Sequence, residues 1–198
     1  VTFGFIGRLT EEKGIDNLMR ALAMLPPDRI RMMIAGRLSD PEQQRLRTLA
    51  PEARIEFMGF VSPDEFYKQV DVVIAPSIWH DPGPLVVADA KAAGRPLLGT
   101  HFGGMPEVIV HGVTGWLTEA DPQSLAKSML EIAADPHTID QISRRLIADT
   151  NKWIFSDVLS SYKTLYEQLR EQRMSSVRTA MAEPPQGPAV AKSSLIPR

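Results

Sequence analysis

Short runs that are apolar on both faces alternate with amphipathic stretches over roughly the first 120 residues of this chain. Residues 1–6, 30–35, 54–58, 72–75 and 96–99 read as buried strands, each of strand length and bounded by turn-forming residues. Between them, Ile15, Leu18, Met19, Leu22 and Leu25 fall at helical spacing, as do Leu46 and Leu49. Strands separated by helices of this length predict parallel pairing through crossovers, with helices on both sides of the sheet. The expected fold class is therefore α/β, a doubly wound parallel sheet of Rossmann-like type, and its ligand belongs at the carboxyl ends of the strands.

Helix starts are marked locally. Ser62-Pro63-Asp64-Glu65 supplies an N-cap, a proline at the first helical position and a capping-box glutamate, and Asp121-Pro122 opens another helix in the same way. Further on, Val158, Leu159, Tyr162, Leu165, Tyr166 and Leu169 draw one apolar stripe along a long helix from about Trp153 to Arg170. From Met174 the chain turns to Ser, Pro, Ala and Gln, with prolines at 184, 185, 188 and 197, too little apolar content to offset the entropy of ordering. The organisation expected is one domain over 1–173 and a disordered tail over 174–198.

Composition narrows the function classes. With 43% hydrophobic and 23% charged residues the chain is an ordinary globular protein, and a net charge of −2 gives no case for nucleic acid or anionic lipid as the main partner. No apolar run is long enough to span a bilayer, so no transmembrane segment is expected, and peripheral association of a full-length protein stays open. The absence of cysteine removes disulfides, thiolate metal sites and a cysteine nucleophile, and fits the cytoplasmic location expected here. The chain opens within its first strand, without an initiator Met or a signal-peptide pattern, and so reads as a piece cut at a domain boundary.

Two clusters can carry chemistry. The first follows the first strand: Gly7-Arg8-Leu9-Thr10-Glu11-Glu12-Lys13-Gly14. Gly7 permits a tight turn where a side chain would crowd a ligand, and Arg8 and Lys13 bring two cations beside a helix N-terminus, a combination suited to a diphosphate. The alternative is a solvated loop in which these cations pair with Glu11 and Glu12. No G-x-G-x-x-G follows the strand, which disfavours an NAD-type cofactor. In the second cluster, Asp81-Pro82-Gly83-Pro84-Leu85-Val86 leads into a helix that carries Asp89. First-turn amides at Leu85 and Val86 favour an anion, and carboxylates at a sheet mouth accept from sugar hydroxyls. The alternative is a helix-capping Asp81 and a surface Asp89. His80 beside Asp81 reads as a loop residue or an extra hydroxyl contact. His101, His111 and His137 lack metal-ligand spacing, Trp79, Trp116 and Trp153 read as packing residues, and Glu107 as a first-turn carboxylate after Gly103-Gly104.

Together the motifs resemble the C-terminal, nucleotide-sugar-binding domain of family 4 retaining glycosyltransferases of the GT-B fold. The resemblance runs over residues 2–172 and rests on motifs in the family's order. These are Gly7-Arg8-Leu9 with Lys13-Gly14, Ile34-Ala35-Gly36, Phe57-Met58-Gly59-Phe60-Val61, Ala75-Pro76-Ser77, Ala90-Lys91-Ala92-Ala93-Gly94-Arg95-Pro96, Gly103-Gly104-Met105-Pro106-Glu107 and His111-Gly112-Val113-Thr114-Gly115-Trp116-Leu117. It implies that Arg8 and Lys13 hold the donor's diphosphate and stabilise the leaving group. The family's paired glutamates fall on Asp81, for the donor sugar's hydroxyls, and Asp89, for the ribose. It further implies that the amides of Leu85 and Val86 cap the phosphates, next to Gly7 and Pro84, and that Phe60 and Val61 border the base pocket.

The resemblance also implies a nucleotide-diphospho-sugar as substrate, no cofactor and no metal. Its acceptor would be held by an N-terminal domain that this chain lacks, and the long C-terminal helix would cross back onto that domain. Without that domain, binding without transfer is expected. The chain departs from the family's pattern where aspartates replace both glutamates, each about 1.3 Å shorter in reach, and where Gly83-Pro84 replaces the usual Phe-Gly. Those departures keep a second function in view, a non-catalytic sugar-nucleotide-binding or interaction module.

Overall fold

The computed structural model describes residues 1–149 and 155–182, with side-chain surroundings for 1–149 and 159–175. The strands are β1 (Thr2–Ile6), β2 (Arg31–Ala35), β3 (Arg54–Gly59), β4 (Val72–Ala75), β5 (Leu97–Thr100) and β6 (Gly115–Thr118), in one sheet of order β3-β2-β1-β4-β5-β6. Every pairing is parallel. The helices are α1 (Ile15–Leu22), α2 (Asp40–Leu49), α3 (Pro63–Tyr67), α4 (Leu85–Ala92), α5 (Met105–Val108), α6 (Pro122–Ala134), α7 (Pro136–Asp149) and α8 (Phe155–Ala182), with a 3-10 turn at Glu11–Lys13. The expected doubly wound sheet is the one found.

Alternation along each strand divides the core between two layers, because successive side chains leave opposite faces of a strand. Phe3, Phe5, Met32, Ile34, Val72, Ile74 and Leu98 pack with Ile15, Leu18, Met19 and Leu22 of α1, Leu46 of α2, and Leu125 and Met129 of α6. Met33, Ala35, Val73, Ala75 and Leu97 face the other way, against Phe66 of α3, Val87 and Ala90 of α4, and Met105 of α5. The helical spacing read from Ile15 to Leu25 thus marks a buried stripe, although Leu25 lies beyond the end of α1.

Two strands differ from expectation. Arg54 and Glu56 of β3 are exposed, so this strand is not buried on both faces; it is an edge, and the Arg31 guanidinium pairs with Glu56 across it. At the other edge, β6 was not anticipated, since its four residues lie inside a glycine-containing motif. The caps agree with the sequence: Ser62 Oγ accepts from the Glu65 amide at 3.2 Å, and Asp121 Oδ1 from the Ser124 amide at 2.9 Å.

The chain divides into two compact units, residues 1–153 and 154–198. In the second, α8 carries Leu159, Tyr162, Leu165, Tyr166 and Leu169 along one stripe, all exposed. It runs on past Met174, where a disordered tail was expected, through a segment without Pro or Gly. Trp153, the side chain of Val158 and the prolines from Pro184 onward lie outside the described residues. Among the described residues no helix is long and apolar enough to cross a membrane.

Candidate functional site

After β1 the chain adds β2 and β3 on one side and then crosses over to build β4, β5 and β6 on the other. Loops leaving the carboxyl ends of β1 and β4 therefore diverge, which opens a crevice between them. There the structure forms a cleft of about 410 Å³ that brings together Gly7, Arg8, Lys13, Asp81, Pro84, Leu85 and Val86, with Ser77, Gly83 and Met105 also in its wall. The two clusters picked out in the sequence, nearly seventy residues apart, thus share one cavity.

Its first wall grows out of β1. The Gly7 amide still bonds Ala35 O at 3.0 Å, after which the chain leaves the sheet into the 3-10 turn. Gly14 ends that turn at φ 74°, and a Cβ there would lie 1.7 Å from the Pro76 carbonyl oxygen, so the turn rests directly on the loop after β4. Glu12 O seals the contact by accepting from Ile78 N at 3.0 Å and Ser77 Oγ at 3.1 Å. The two cations then take different partners. Arg8 pairs with Glu12 at 3.3 Å on the surface, whereas Lys13 reaches across the cleft to Asp81 Oδ2 at 3.0 Å. Pairing within the loop thus holds for Arg8 alone.

The opposite wall is the loop from β4 into α4. Asp81 Oδ1 accepts from the Gly83 amide at 3.2 Å, and together with the Lys13 ammonium this holds its carboxyl below the usual carboxylate range, the lysine contributing most. Gly103 and Gly104 back the loop. Gly104 N donates to Asp81 O at 2.8 Å, and a Cβ on Gly103, at φ 57°, would stand 2.4 Å from the same oxygen. This gives the glycine pair a physical reason that the sequence reading lacked. Pro84 caps α4 without a side-chain bond, and the amides of Leu85 and Val86 occupy the first turn, where no intrahelical acceptor reaches and the dipole favours negative charge. Asp89 does not join them: it stands exposed on α4, outside the cleft lining, and its charge adds to burial in raising the Tyr67 hydroxyl above its usual range.

A second cavity of about 600 Å³ shares Ile6, Gly7 and Arg8 with the first and lies over the ends of β2 and β3. Phe60 and Val61 line it, with Arg37 and Glu42, which sequence reasoning did not select. The Arg37 guanidinium stands 5.3 Å from the centre of the exposed Phe60 ring, a cation–π pair. Hydrogen bonds from Ser39 hold the Glu42 carboxyl below its ordinary range. Thr10 Oγ1 is a buried atom in the same wall with no hydrogen-bond partner among the described residues. The available signal was position alone, since Arg37 follows the glycine that ends β2.

Among the described residues no three His, Asp or Glu side chains gather in a way that could hold a metal ion. His80 packs its ring against Phe102, 5.4 Å between centroids, and His111 Nδ1 accepts from the Leu117 amide at 3.1 Å. Trp116 packs on the core, whereas Trp79 is exposed beside the cleft loop and is no packing residue. Lys91, buried on α4, donates to Val108 O at the end of α5, and burial lowers its pKa. The folded value being the lower one, the unfolded chain holds the extra proton between the two values, and stability rises with pH across that window. Thermal melts from about pH 8 to 11 should therefore show a rise attributable to Lys91, absent from the Lys91→Met variant. Parallel pH profiles for the two proteins would contradict it.

These features define a doubly wound, Rossmann-like α/β domain with its crevice at the switch point of the sheet. The chain belongs to the group 1 glycosyltransferases, whose family model matches residues 1–153. It is 35% identical over 138 residues to an uncharacterized glycosyltransferase of Methanocaldococcus jannaschii, covering 66% of this chain and 35% of that protein. It is 28% identical over 178 residues to the D-inositol 3-phosphate glycosyltransferase of Corynebacterium efficiens, covering 83% and 42%. Among solved structures, Anabaena HepE in complex with UDP superimposes with a TM-score of 0.72 at 27% identity, covering 86% of this chain and 48% of that one. The chain spans less than half the length of these relatives.

Proposed function

We propose that this domain binds the nucleotide-diphospho-sugar donor of a sugar transfer that retains configuration at the anomeric carbon, as in family 4 enzymes. The observation that carries the reading is the meeting of Arg8, Lys13 and the first-turn amides of α4 in one cleft. HepE structures with UDP and with UDP-glucose, at 27% and 26% identity, support it.

In this reading Arg8, Lys13 and the amides of Leu85 and Val86 hold the diphosphate, and the two cations stabilise the charge that develops on it as the sugar leaves, without a metal. Asp81 accepts from sugar hydroxyls, and the base lies in the adjoining cavity between Phe60, Val61 and Arg37. Asp89 would reach the ribose only from the rim. The acceptor is held, in the cytoplasm, by a further domain of the full-length protein, and α8 returns to that domain. A non-catalytic binding module is the second reading, favoured by one observation: Asp81 spends its short side chain on Lys13.

Calorimetric titration of the chain with UDP, GDP and ADP tests the proposal. Binding of at least one is expected, and a folded chain that binds none of them would overturn it.

A further inference from the structure

The two cations of the cleft are committed differently within the chain. Arg8 holds Glu12 at the surface, with 73% and 43% of the two side chains exposed, a pair that competes weakly for the cation. Lys13 holds Asp81, and both line the cleft with about a quarter of each side chain exposed (27% and 27%). The backbone at each end of this second pair is fixed. Glu12 O is bonded to Ile78 N and Ser77 Oγ, and Asp81 O to Gly104 N. Only the side chains are free to exchange partners.

We propose that Asp81 competes with the donor's diphosphate for Lys13, and thereby distinguishes a sugar-bearing diphosphate from the bare nucleoside diphosphate left after transfer. The inference rests on the donor-binding reading above and adds a role for Asp81 that hydroxyl binding alone does not give. A diphosphate that takes up Lys13 brings its negative charge toward the Asp81 carboxylate, a like-charge contact that stays unfavourable even at an effective dielectric near about 20. With the sugar attached, its hydroxyls offer donors to the carboxylate once it gives up the lysine. Transfer removes them. The bond from the anomeric carbon to the β-phosphate oxygen breaks and its electron pair stays on that oxygen, while the anomeric carbon bonds to the acceptor oxygen and the acceptor's proton is released. Asp81 then faces a phosphate with more negative charge and no hydroxyls, and returns to Lys13. The carboxylate thus favours release of the product over retention of it. Its shortness fits the role, for an aspartate at this position meets Lys13 at 3.0 Å while keeping the Gly83 amide.

Calorimetry on the whole chain tests this, with UDP, GDP and ADP beside the corresponding nucleoside-diphospho-glucoses. Asp81→Asn keeps the side-chain shape and an acceptor for the Gly83 amide but removes the charge. The variant should bind the bare diphosphate about fivefold more tightly or better, with no such gain for the sugar-bearing form. A residue with a merely structural role would weaken both ligands. Asp81→Ala should shift the bare diphosphate in the same direction, so the sign is readable if either variant folds. Placed on Lys13→Ala, Asp81→Asn should lose most of its gain, because the competed cation is gone. An unchanged or weaker affinity for the bare diphosphate, or a gain that persists in full without Lys13, overturns the competition and leaves donor binding standing. Failure of all three nucleotides to bind the folded wild-type chain overturns donor binding and the competition with it.

Discussion

Lys13→Ala should weaken nucleoside diphosphate binding by this chain about tenfold or more, while the melting temperature barely moves. The loss follows from removing a charge-assisted hydrogen bond to an anionic ligand, worth roughly 1.5–3 kcal/mol. Stability should change little, because the pair with Asp81 is partly solvated and such pairs contribute about 1 kcal/mol at most. In a protein that carries this domain with the second half its relatives possess, turnover should fall about 10²-fold or more, the scale of losing one preorganised group at a developing negative charge. Arg8→Ala should behave alike, with even less effect on folding, since Glu12 holds it at an exposed surface. Titration and steady-state rates check both halves of the prediction. Near-normal affinity and turnover would remove these cations from the site.

Gly14→Ala should be the most damaging small substitution in the cleft, costing about 3 kcal/mol or more in urea unfolding and abolishing nucleotide binding. Two effects add. The residue sits at φ 74°, where an L side chain costs about 1–2 kcal/mol, and its new Cβ would lie 1.7 Å from the Pro76 carbonyl oxygen. That oxygen belongs to backbone and cannot swing aside, so the turn carrying Lys13 must separate from the loop carrying Asp81. Gly83→Ala, in the opposite wall of the same cleft, serves as the control. Nothing lies within 4 Å of its Cβ position, and it should cost within about 0.5 kcal/mol. Equal unfolding midpoints for the two variants would show that the turn does not depend on this contact.

The central strands of the fold were legible because β1, β2, β4 and β5 are apolar on both faces, a pattern that only a sheet covered on two sides explains. The edges were less so. β3 was legible as a strand but not as an edge, because Arg54 and Glu56 point outward from a run read as buried on both faces, and β6 was missed because its four residues lie in a stretch that reads as a turn-rich motif. Arg8, Lys13, Asp81 and the start of α4, which the structure brings into one cleft, could be singled out because each follows the end of a strand or opens a helix, which local sequence marks well. Asp89 was placed by spacing within a motif, and spacing does not say which way a helical side chain faces; it stands outside the cleft lining. Arg37 and Glu42 were missed because their relevance depends on the neighbouring β3 loop with Phe60, a tertiary contact with no local signature. The pairing of Lys13 with Asp81 was invisible for the same reason.

In the function proposed above, the crevice between the ends of β1 and β4 is a donor-nucleotide site. A crystal structure of the chain with whichever of UDP, GDP or ADP binds tightest tests it most directly. The diphosphate should lie between the Gly7-Arg8 turn and the first turn of α4, within reach of Lys13, with the base in the cavity beside Phe60, Val61 and Arg37. A nucleotide bound elsewhere on the domain, with Lys13 and the amides of Leu85 and Val86 making no contact to it, would rule out this crevice as the donor site.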